Sequence, residues 1–376
     1  PLAKAYGIAE DCALYLKPEC LQKTGSFKLR GSGYKIAMLS DEEKAKGVIA
    51  CSAGNHAQGV ALAASKCGIS SLICLPDTAP ISKVEATKGY GAQVCLVPGV
   101  YDDAYNKALE LKEEHGYTFV HPFDDEYVIA GQGTIGLEIM NEMSDVDAVL
   151  VPIGGGGLIS GVACAIKSIS PHVKVYGVQA AGAPSMYNAI HHGKMEALTS
   201  VSTIADGIAV KKPGELTYEM VKNYVDDIAL VTEDEIAAAI LALIEKQKMI
   251  AEGAGAVSVA AAMFHKFPLE GKKVVSLISG GNIDVTSLSR VIDRGLMKSG
   301  RTTSLLIELA DKPGQLMEVS RIIAQCGGNV ISVHHERNGE TESINGCYLR
   351  LSLETRNYDH VQQITQALRD AGFKIV

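Results

Sequence analysis

Short apolar runs alternate with helical patterns along most of the chain. The runs that predict strands are GVIAC (47–51), SLICLP (71–76), AQVCLVP (92–98), YTFVHP (117–122), VDAVLVPI (146–153), VKVYGVQA (173–180) and KKVVSLIS (272–279). The segments between them, such as DDAYNKALELKEEHG, carry apolar residues at helical spacing. Continuous apolar strands separated by helices are typical of parallel strands buried on both faces. The pattern therefore predicts an α/β protein with parallel sheets.

The clearest helix signal is the segment TEDEIAAAILALIEKQKM (232–249). It opens with Thr232, and Glu235 follows three residues later, which is the spacing of a capping box. We therefore predict a helix that begins just after Thr232.

The pattern changes near residue 299. From residue 302 to residue 376 the chain reads strand, helix, strand, strand, helix, strand, the order of a ferredoxin-like domain. We therefore expect two domains, residues 1–298 and residues 302–376, joined by a short polar linker near 296–302.

The charge and the cysteine content argue against several classes of protein. The net charge of −8 argues against nucleic acid or an anionic membrane as the main partner. No apolar run approaches the ~18 residues that a membrane span needs. The nine cysteines form no C-x-x-C pair, which favours reduced thiols in a cytoplasmic protein. The chain shows no signal peptide but begins at Pro1, so we expect native N-terminal residues to precede it.

Four consecutive glycines form a candidate phosphate site. Gly154, Gly155, Gly156 and Gly157 follow the strand VDAVLVPI and open the helical pattern LISGVACAIKSI. Successive glycines let backbone N–H groups converge at a helix N-terminus, where anions bind. No lysine follows, so this is not a Walker loop. A flexible turn is the alternative, but its entropic cost at a strand-to-helix junction is large.

A second glycine motif, GQGTIG (131–136), formally matches the dinucleotide fingerprint. The preceding segment DDEYVIA is a poor buried strand, and no acidic residue closes a second strand roughly 20 residues later. Nicotinamide binding is therefore disfavoured.

Two further strand ends carry polar side chains. CSAGNHAQG (51–59) supplies Ser52, Asn55 and His56, which suit a carboxylate or a hydroxylated ring. SGGN (279–282) places Ser279 at the end of KKVVSLI, where open α/β sheets bind ligands. For His56 alone, a structural histidine is the more common alternative.

Lys28 occupies an unusual position in KTGSFKLRGSG (23–33). If Ser26 caps a helix, Lys28 lies in the first turn, where the helix dipole disfavours a cation. The dipole, together with shielding by Phe27, would lower the pKa of the amine. A neutral amine forms a Schiff base with an aldehyde. Beside a phosphate site this predicts pyridoxal phosphate, although a solvated lysine is the alternative for Lys28 taken alone.

The motifs KTGSFKLRGS, SAGNHAQG, AGQGTIGLEI, GGGGLISG, EGAGA and SGGNID resemble, in order, those of the threonine dehydratases (threonine ammonia-lyases). These are fold-type II pyridoxal-phosphate enzymes, and the resemblance covers residues 1–295. It implies a tryptophan synthase β-like catalytic domain of two open parallel-sheet subdomains. It also implies dehydration and deamination of L-threonine, and of L-serine, to 2-oxobutanoate or pyruvate and ammonia.

The resemblance implies a role for each motif residue. Lys28 would bind the cofactor covalently and act as the catalytic base, with Phe27 near the ring. Asn55 would bond the ring hydroxyl, and Ser279 would face the ring nitrogen. The phosphate would be held by Gly154, Gly155, Gly156 and Gly157. The substrate carboxylate would be received by Ser52, Gly54 and His56.

The C-terminal segment resembles an ACT domain, an amino-acid-sensing module, through ELADKPGQL and Gly327–Gly328–Asn329. This resemblance implies regulation by a small amino acid bound where two such domains pair, in a homodimer or homotetramer. A pairing module that senses nothing is the alternative.

Serine racemase is the nearest rival family. Racemases carry a second base, a serine, where this chain has Ala53, and an acidic pair for a divalent cation where it has Gln179 and Ser185. The resemblance therefore favours a dehydratase without a metal site. A silent amino-acid sensor is also disfavoured, since a sensor needs no Schiff-base lysine.

Four other features are left with weaker expectations. His191–His192 and His334–His335–Glu336 could suggest metal ligands, but neighbouring residues on a strand point apart, so we expect solvated surface. Glu252 in EGAGA either lines the site or caps a helix. Pro1–Leu2 is expected in a segment that packs on the small subdomain.

Overall fold

The computed structural model of the chain describes Ile8, residues 11–336 and residues 346–376. Its internal contacts divide the chain into two units, Pro1–Asp284 and Val285–Val376, which are described separately. This division falls ahead of the linker expected at 296–302. The expected position of Pro1–Leu2 lies outside the described residues.

The strands of the first unit form two open sheets. In chain order they are β1 (Ala13–Pro18), β2 (Val48–Cys51), β3 (Ser71–Pro76), β4 (Gln93–Val97), β5 (Thr118–Phe119), β6 (Ala148–Pro152), β7 (Lys174–Ala180), β8 (Asp227–Val231) and β9 (Lys273–Ile278). The larger sheet has the order β1-β9-β6-β7-β8 and the smaller the order β4-β3-β2-β5. Each pair of neighbouring strands is parallel, which confirms the predicted class.

Helices cover these sheets. They are α1 (Lys28–Ala37), α2 (Asp41–Lys46), α3 (Asn55–Lys66), α4 (Ile81–Gly89), α5 (Tyr101–His115), α6 (Glu126–Glu142), α7 (Gly157–Ile169), α8 (Ser185–His192), α9 (Glu215–Tyr224), α10 (Glu233–Ala242) and α11 (Gly253–Met263). The capping box predicted for α10 is confirmed, because Thr232 and Glu235 exchange side-chain-to-backbone bonds. The helix is shorter than predicted, since a π-helical turn, Leu243–Gln247, replaces its last part.

The GQGTIG motif lies inside α6, where its glycines permit close helix packing. A Cβ at Gly131 would lie 2.6 Å from the Arg30 carbonyl oxygen of α1. A Cβ at Gly136 would lie 2.8 Å from the Val162 carbonyl oxygen of α7. Such distances are too short for any side chain, so these glycines serve helix–helix contact and form no dinucleotide loop.

The second unit is a ferredoxin-like domain preceded by a helix. Its elements are α12 (Val285–Lys298), β10 (Thr302–Ala310), α13 (Gln315–Gln325), β11 (Asn329–Glu336), β12 (Gly346–Glu354), α14 (Tyr358–Asp370) and β13 (Lys374–Ile375). The strand order is β11-β12-β10-β13, and all three pairings are antiparallel. The predicted order of elements is confirmed.

The free cysteines agree with the expectation from composition, because all nine are unbridged. Within the described ranges, no helix combines the length and the apolar character needed to cross a membrane.

Candidate active site

Lys28 is the first residue of α1, and Phe27 occupies the N-cap position. The expectation that Ser26 caps this helix is wrong. The backbone of Ser26 instead forms a bridge with Gly280, just beyond β9, and its hydroxyl has no partner among the described residues. Lys28 nevertheless lies in the first turn, as predicted.

The amine of Lys28 lies between a backbone carbonyl and an aromatic ring. Its Nζ donates a 2.7 Å hydrogen bond to the carbonyl of Pro122 and lies 5.2 Å from the centre of the Phe27 ring. Burial lowers the pKa of Lys28 from 10.5 to about 8, and the carboxylate of Glu252 opposes this shift only partly. The amine is therefore much more easily neutralised than a solvated lysine.

The turn around Phe123 joins Lys28 to the glycine loop. Pro122 accepts the bond from Lys28, and the next residue packs against the glycines. A Cβ on Gly155 would overlap the Phe123 ring, and one on Gly157 would lie 2.7 Å from its carbonyl oxygen. Glycine is required at both positions because this turn passes so close.

His121 and Asp124 hold that turn in place. His121 Nδ1 accepts hydrogen bonds from the backbone N–H groups of Phe123 (3.3 Å) and Asp124 (2.8 Å). Burial lowers the pKa of His121, which keeps the ring neutral and able to accept. Asp124 in turn accepts bonds of 3.1 Å from the N–H groups of Glu215 and Thr217 at the start of α9.

The glycine loop presents a helix N-terminus. Gly156 is the N-cap of α7 and has a φ of 100°, a left-handed conformation that favours glycine. The hydroxyl of Thr217 donates a 2.6 Å bond to the Gly155 carbonyl, which fixes the loop from α9. The first N–H groups of a helix have no partner within it, so α7 offers donors to an anion at this point.

Ser279 follows the last residue of β9 and is buried. Its hydroxyl donates a 3.2 Å bond to the Ala254 carbonyl, and its own carbonyl accepts a 3.1 Å bond from the Phe27 N–H. The predicted strand-end serine is thus attached directly to the segment that carries Lys28.

Asn55 begins α3 and joins it to the far end of the chain. Its Nδ2 donates a 2.7 Å bond to Glu252 Oε1, and its Oδ1 accepts a 2.7 Å bond from Asn282 Nδ2. Glu252 stands at the N-cap position of α11 without capping it through its side chain, so the interpretation as a capping acid is wrong. Burial raises the pKa of Glu252 to about 7.

The residues expected to receive a carboxylate lie around the start of α3. Ser52 Oγ accepts a 3.1 Å bond from the Gly54 N–H, and Gly54 is the N-cap of α3. His56 Nε2 lies 2.8 Å from the Val120 carbonyl and donates to it. Burial lowers the pKa of His56 to about 3. Its side chain is therefore neutral and structural, and any contribution to a carboxylate site comes from its backbone N–H.

Arg30 is a supporting residue that the sequence motifs did not single out. Its guanidinium bonds both oxygens of buried Glu19 at 2.8 Å and both oxygens of Glu138 at 2.5 and 2.8 Å. The Glu138 pair ties α1 to α6, and the Glu19 pair ties α1 to the turn that follows β1. The sequence does contain one hint of its importance, because Arg30 is the single arginine within residues 1–284.

Taken together, the residues fit pyridoxal phosphate. Lys28 supplies an easily neutralised amine for an aldehyde, α7 supplies an anion site, and Ser279 supplies a hydroxyl at a strand end. The Pro122–Phe123 turn and the Phe27–Ser279 bond connect all three.

Comparison with known proteins agrees with this geometry. Residues 1–280 match the family model described as "Pyridoxal-phosphate dependent enzyme". An L-threonine ammonia-lyase of Thermotoga maritima is 53% identical over 362 residues, 96% of this chain and 90% of that protein. The processed form of threonine deaminase isoform 2 from Solanum lycopersicum matches with a TM-score of 0.74 and 42% identity, over 78% of this chain and 85% of that one. Maize serine racemase matches with a TM-score of 0.73 and 37% identity, over 79% and 90%.

Proposed function

The chain belongs to the family of pyridoxal-phosphate dependent enzymes, and we propose that it is a threonine ammonia-lyase. It converts L-threonine into 2-oxobutanoate and ammonia by α,β-elimination, and L-serine into pyruvate and ammonia. The likeness to the Thermotoga enzyme supports the threonine activity because it extends over nearly the whole chain.

One observation carries the proposal at the level of chemistry. Burial lowers the pKa of the Lys28 amine to about 8. The amine donates a hydrogen bond to the Pro122 carbonyl. The next residue, Phe123, packs against the glycine loop that we propose as the phosphate site. An amine that gives up its proton far more readily than a solvated lysine, next to an anion site, can serve both as a Schiff-base nucleophile and as a proton acceptor.

The side chains divide the work of the reaction. Pyridoxal phosphate, once bound to Lys28, withdraws electrons from the α-carbon of an amino acid and so acidifies its α-proton. Lys28 takes that proton when the substrate amine has displaced it. The N–H groups of Gly154, Gly155, Gly156 and Gly157 would hold the phosphate, and those at the start of α3, with Ser52 and Gly54, would receive the substrate carboxylate.

The partner of the ring nitrogen favours elimination. The neutral hydroxyl of Ser279 would not keep this nitrogen protonated as a carboxylate would, so the ring would take up less of the charge left at the α-carbon. Loss of the β-hydroxyl would then be favoured; it leaves as water, and the α-proton taken by Lys28 balances the proton that it needs. Asn55 would bond the ring hydroxyl of the bound cofactor, and Phe27 would pack near the ring.

The test follows 2-oxobutanoate formation from L-threonine by the purified holoenzyme. Replacement of Lys28 by Ala is expected to reduce the rate by on the order of a thousandfold, the typical contribution of a positioned base. Lys66→Ala, at an exposed position in α3, is the control. Mass spectrometry after borohydride reduction should find the cofactor on Lys28. An adduct on another lysine, or none, would refute the proposal.

Serine racemisation is the second candidate, because the fold likeness to maize serine racemase is nearly as close. The resemblance places Ala53 where a racemase has its second base, and a methyl group moves no proton. Gln179 and Ser185 stand in for the acidic pair, and Gln179 Oε1 instead accepts a bond from the Tyr187 N–H at 2.8 Å. D-serine as the main product from L-serine would establish racemisation instead.

We further propose that the ferredoxin-like unit acts as an ACT domain. It binds a small amino acid in a homodimer or homotetramer, and the enzyme works in the cytoplasm, where its nine thiols stay reduced. Threonine turnover with and without branched-chain amino acids, beside light scattering of the same samples, tests regulation and assembly separately. Turnover unchanged by every amino acid tried would contradict regulation.

A further inference from the structure

Three side chains that can bind metals meet at one end of the antiparallel sheet in the second unit. Cys347 on β12 lies opposite Leu309 on β10, and Asp311 follows two residues after Leu309. His335 on β11 lies opposite Leu349, two residues from Cys347. Because side chains on one face of a strand recur every second residue, His335 and Cys347 share the face that carries the core, and Asp311 lies just beyond the end of β10.

Their ligand atoms are close enough to share one ion. One carboxylate oxygen of Asp311, one ring nitrogen of His335 and the sulfur of Cys347 lie within 4.8 Å of one another. His335 Nε2 is 3.0 Å from Cys347 Sγ. Ligands of a tetrahedral zinc ion are about 3.5 Å apart, given bonds of about 2.0–2.3 Å. Small side-chain movements therefore complete the geometry.

We propose that Asp311, His335 and Cys347 form a Zn²⁺-binding site. A thiolate and an imidazole select a borderline or soft cation, whereas Mg²⁺ and Ca²⁺ take oxygen ligands almost exclusively. Three protein ligands leave the fourth tetrahedral position open for water or another small ligand.

The site also has an entry path. Asp311 and His335 are exposed and line a cavity of about 420 Å³ beneath the β10–α13 loop. Cys347 lies behind them and is only 1% exposed. An ion arriving from solvent would meet the carboxylate and the imidazole first and the thiol last.

The sequence-based expectation of solvated surface for His334–His335–Glu336 agrees with the exposure of all three residues, but it did not foresee the contact that His335 makes. His334 and His335 do point to opposite faces, since their partners on β12 are Arg350 and Leu349. The histidine on the core face meets a cysteine that is distant in sequence, which spacing along β11 alone could not reveal.

The alternative is a hydrogen-bonded His335–Cys347 pair that closes the apolar core and binds no ion. Metal titration of the full-length holoenzyme separates the two interpretations. After treatment with chelator and dialysis, Co²⁺ alone is added, and difference spectra are recorded against the metal-free protein. We expect one tight equivalent, with a thiolate-to-cobalt charge-transfer band that added Zn²⁺ abolishes.

Two ligand variants and one control assign the ligands. Cys347→Ser should lose the charge-transfer band, and His335→Gln should weaken Co²⁺ binding by more than about a hundredfold, since changes around a ligand alone cost 10–100-fold. His334→Gln is the matched control and should bind as the unaltered protein does.

Two results would overturn the proposal. One is the absence of tight Co²⁺ binding by the unaltered protein, which needs no variant. The other is binding by His335→Gln and Cys347→Ser equal to that of the His334→Gln control. Asp311→Asn, at an exposed position, supplies a third ligand test if the Cys347 variant does not fold, and unchanged affinity there with normal circular dichroism would also count against the site.

Discussion

Asn55 and Glu252, which are 197 residues apart in the chain, form a hydrogen bond of 2.7 Å within the candidate site. Asn55 starts a helix over the smaller sheet, and Glu252 precedes the helix α11 that packs on the larger sheet. The bond therefore joins the two halves of the first unit. Because burial raises the pKa of Glu252, we expect the contribution of this residue to the stability of the fold to depend on pH.

Replacing Glu252 by Gln should change how stability depends on pH. Burial raises the pKa of Glu252 from 4.5 to about 7, so the folded protein holds this proton more tightly than the unfolded chain. The group's contribution to stability is therefore lost as pH rises from about 4.5 to about 7. The amide keeps the oxygen that accepts from Asn55 and does not titrate. We expect the stability of Glu252→Gln relative to the unaltered protein to rise across that window.

The measurement is urea unfolding of the cofactor-free protein at several pH values. Glu219→Gln, at an exposed position, is the control and should leave the pH profile unchanged. Parallel profiles for Glu252→Gln and the unaltered protein would show that the carboxyl group is not perturbed.

An added methyl group in the glycine loop should disturb the cofactor site. The Cβ of Gly155→Ala would overlap the Phe123 ring, which overpacks the turn at a cost of about 1–3 kcal/mol. We expect weaker retention of pyridoxal phosphate on dialysis, measured by absorbance. Gly33→Ala in α1 is the control, because a Cβ there meets nothing within 4 Å. Equal retention in both variants would place the phosphate elsewhere.

Substitutions at Ser279 test whether its hydroxyl is the partner of the cofactor's ring nitrogen. Ser279→Ala removes the hydroxyl, and Ser279→Asp replaces it by a group that holds the nitrogen protonated. We expect Ser279→Asp to change the visible spectrum of the holoenzyme and to lower kcat for L-threonine by at least about tenfold, corresponding to about 1.4 kcal/mol. Ser258→Ala is a control, since its hydroxyl bonds the Leu277 carbonyl. Unchanged turnover in Ser279→Asp would refute the assigned role.

Part of the protein's loss of folding stability at low pH should be caused by His56. Burial lowers its pKa from 6.5 to about 3, so its contribution to stability is present above about pH 6.5 and is lost as pH falls toward about 3. His56→Gln removes the titrating ring while keeping a donor for the Val120 carbonyl. We expect His56→Gln to lose less stability than the unaltered protein over that pH range. Thermal unfolding at several pH values measures the loss. His172→Gln, at an exposed position, should keep the original slope, and an equal slope in His56→Gln would contradict the prediction.

The accuracy of the strand prediction follows how continuous the apolar residues are along each strand. The central strands β2 and β6 are buried along their whole length, and continuous apolar runs predicted both. The strands β1 and β8 at the edges of the larger sheet were missed, because half-buried edge strands such as ALYLKP mix apolar and polar residues. An edge position alone is not decisive, because the edge strands β4 and β5 of the smaller sheet were predicted from the apolar runs AQVCLVP and YTFVHP.

The site was predictable where motifs are local. The glycine loop, Ser279 and the place of Lys28 at a helix start each lie within a few consecutive residues. The bond from Lys28 to Pro122 spans 94 residues, and neither the Phe123 contact nor the Asn55–Glu252 bond has a local signal. Such contacts depend on how the two sheets meet, which residue spacing does not encode.

Replacing Arg30 in α1 should lower the unfolding free energy strongly. It is largely buried and pairs with Glu19, which is only 3% exposed, and with Glu138. Arg30→Met leaves the Glu19 carboxylate buried without its partner, a change that typically costs about 3–5 kcal/mol. Arg30→Lys keeps a charge but loses both two-point contacts, so we expect an intermediate loss of unfolding free energy. Lys46→Met, which breaks the exposed pair with Glu42, should cost far less, because solvent screens an exposed ion pair. Equal losses in Arg30→Met and Lys46→Met, measured by urea unfolding, would show that burial does not strengthen the Arg30 network.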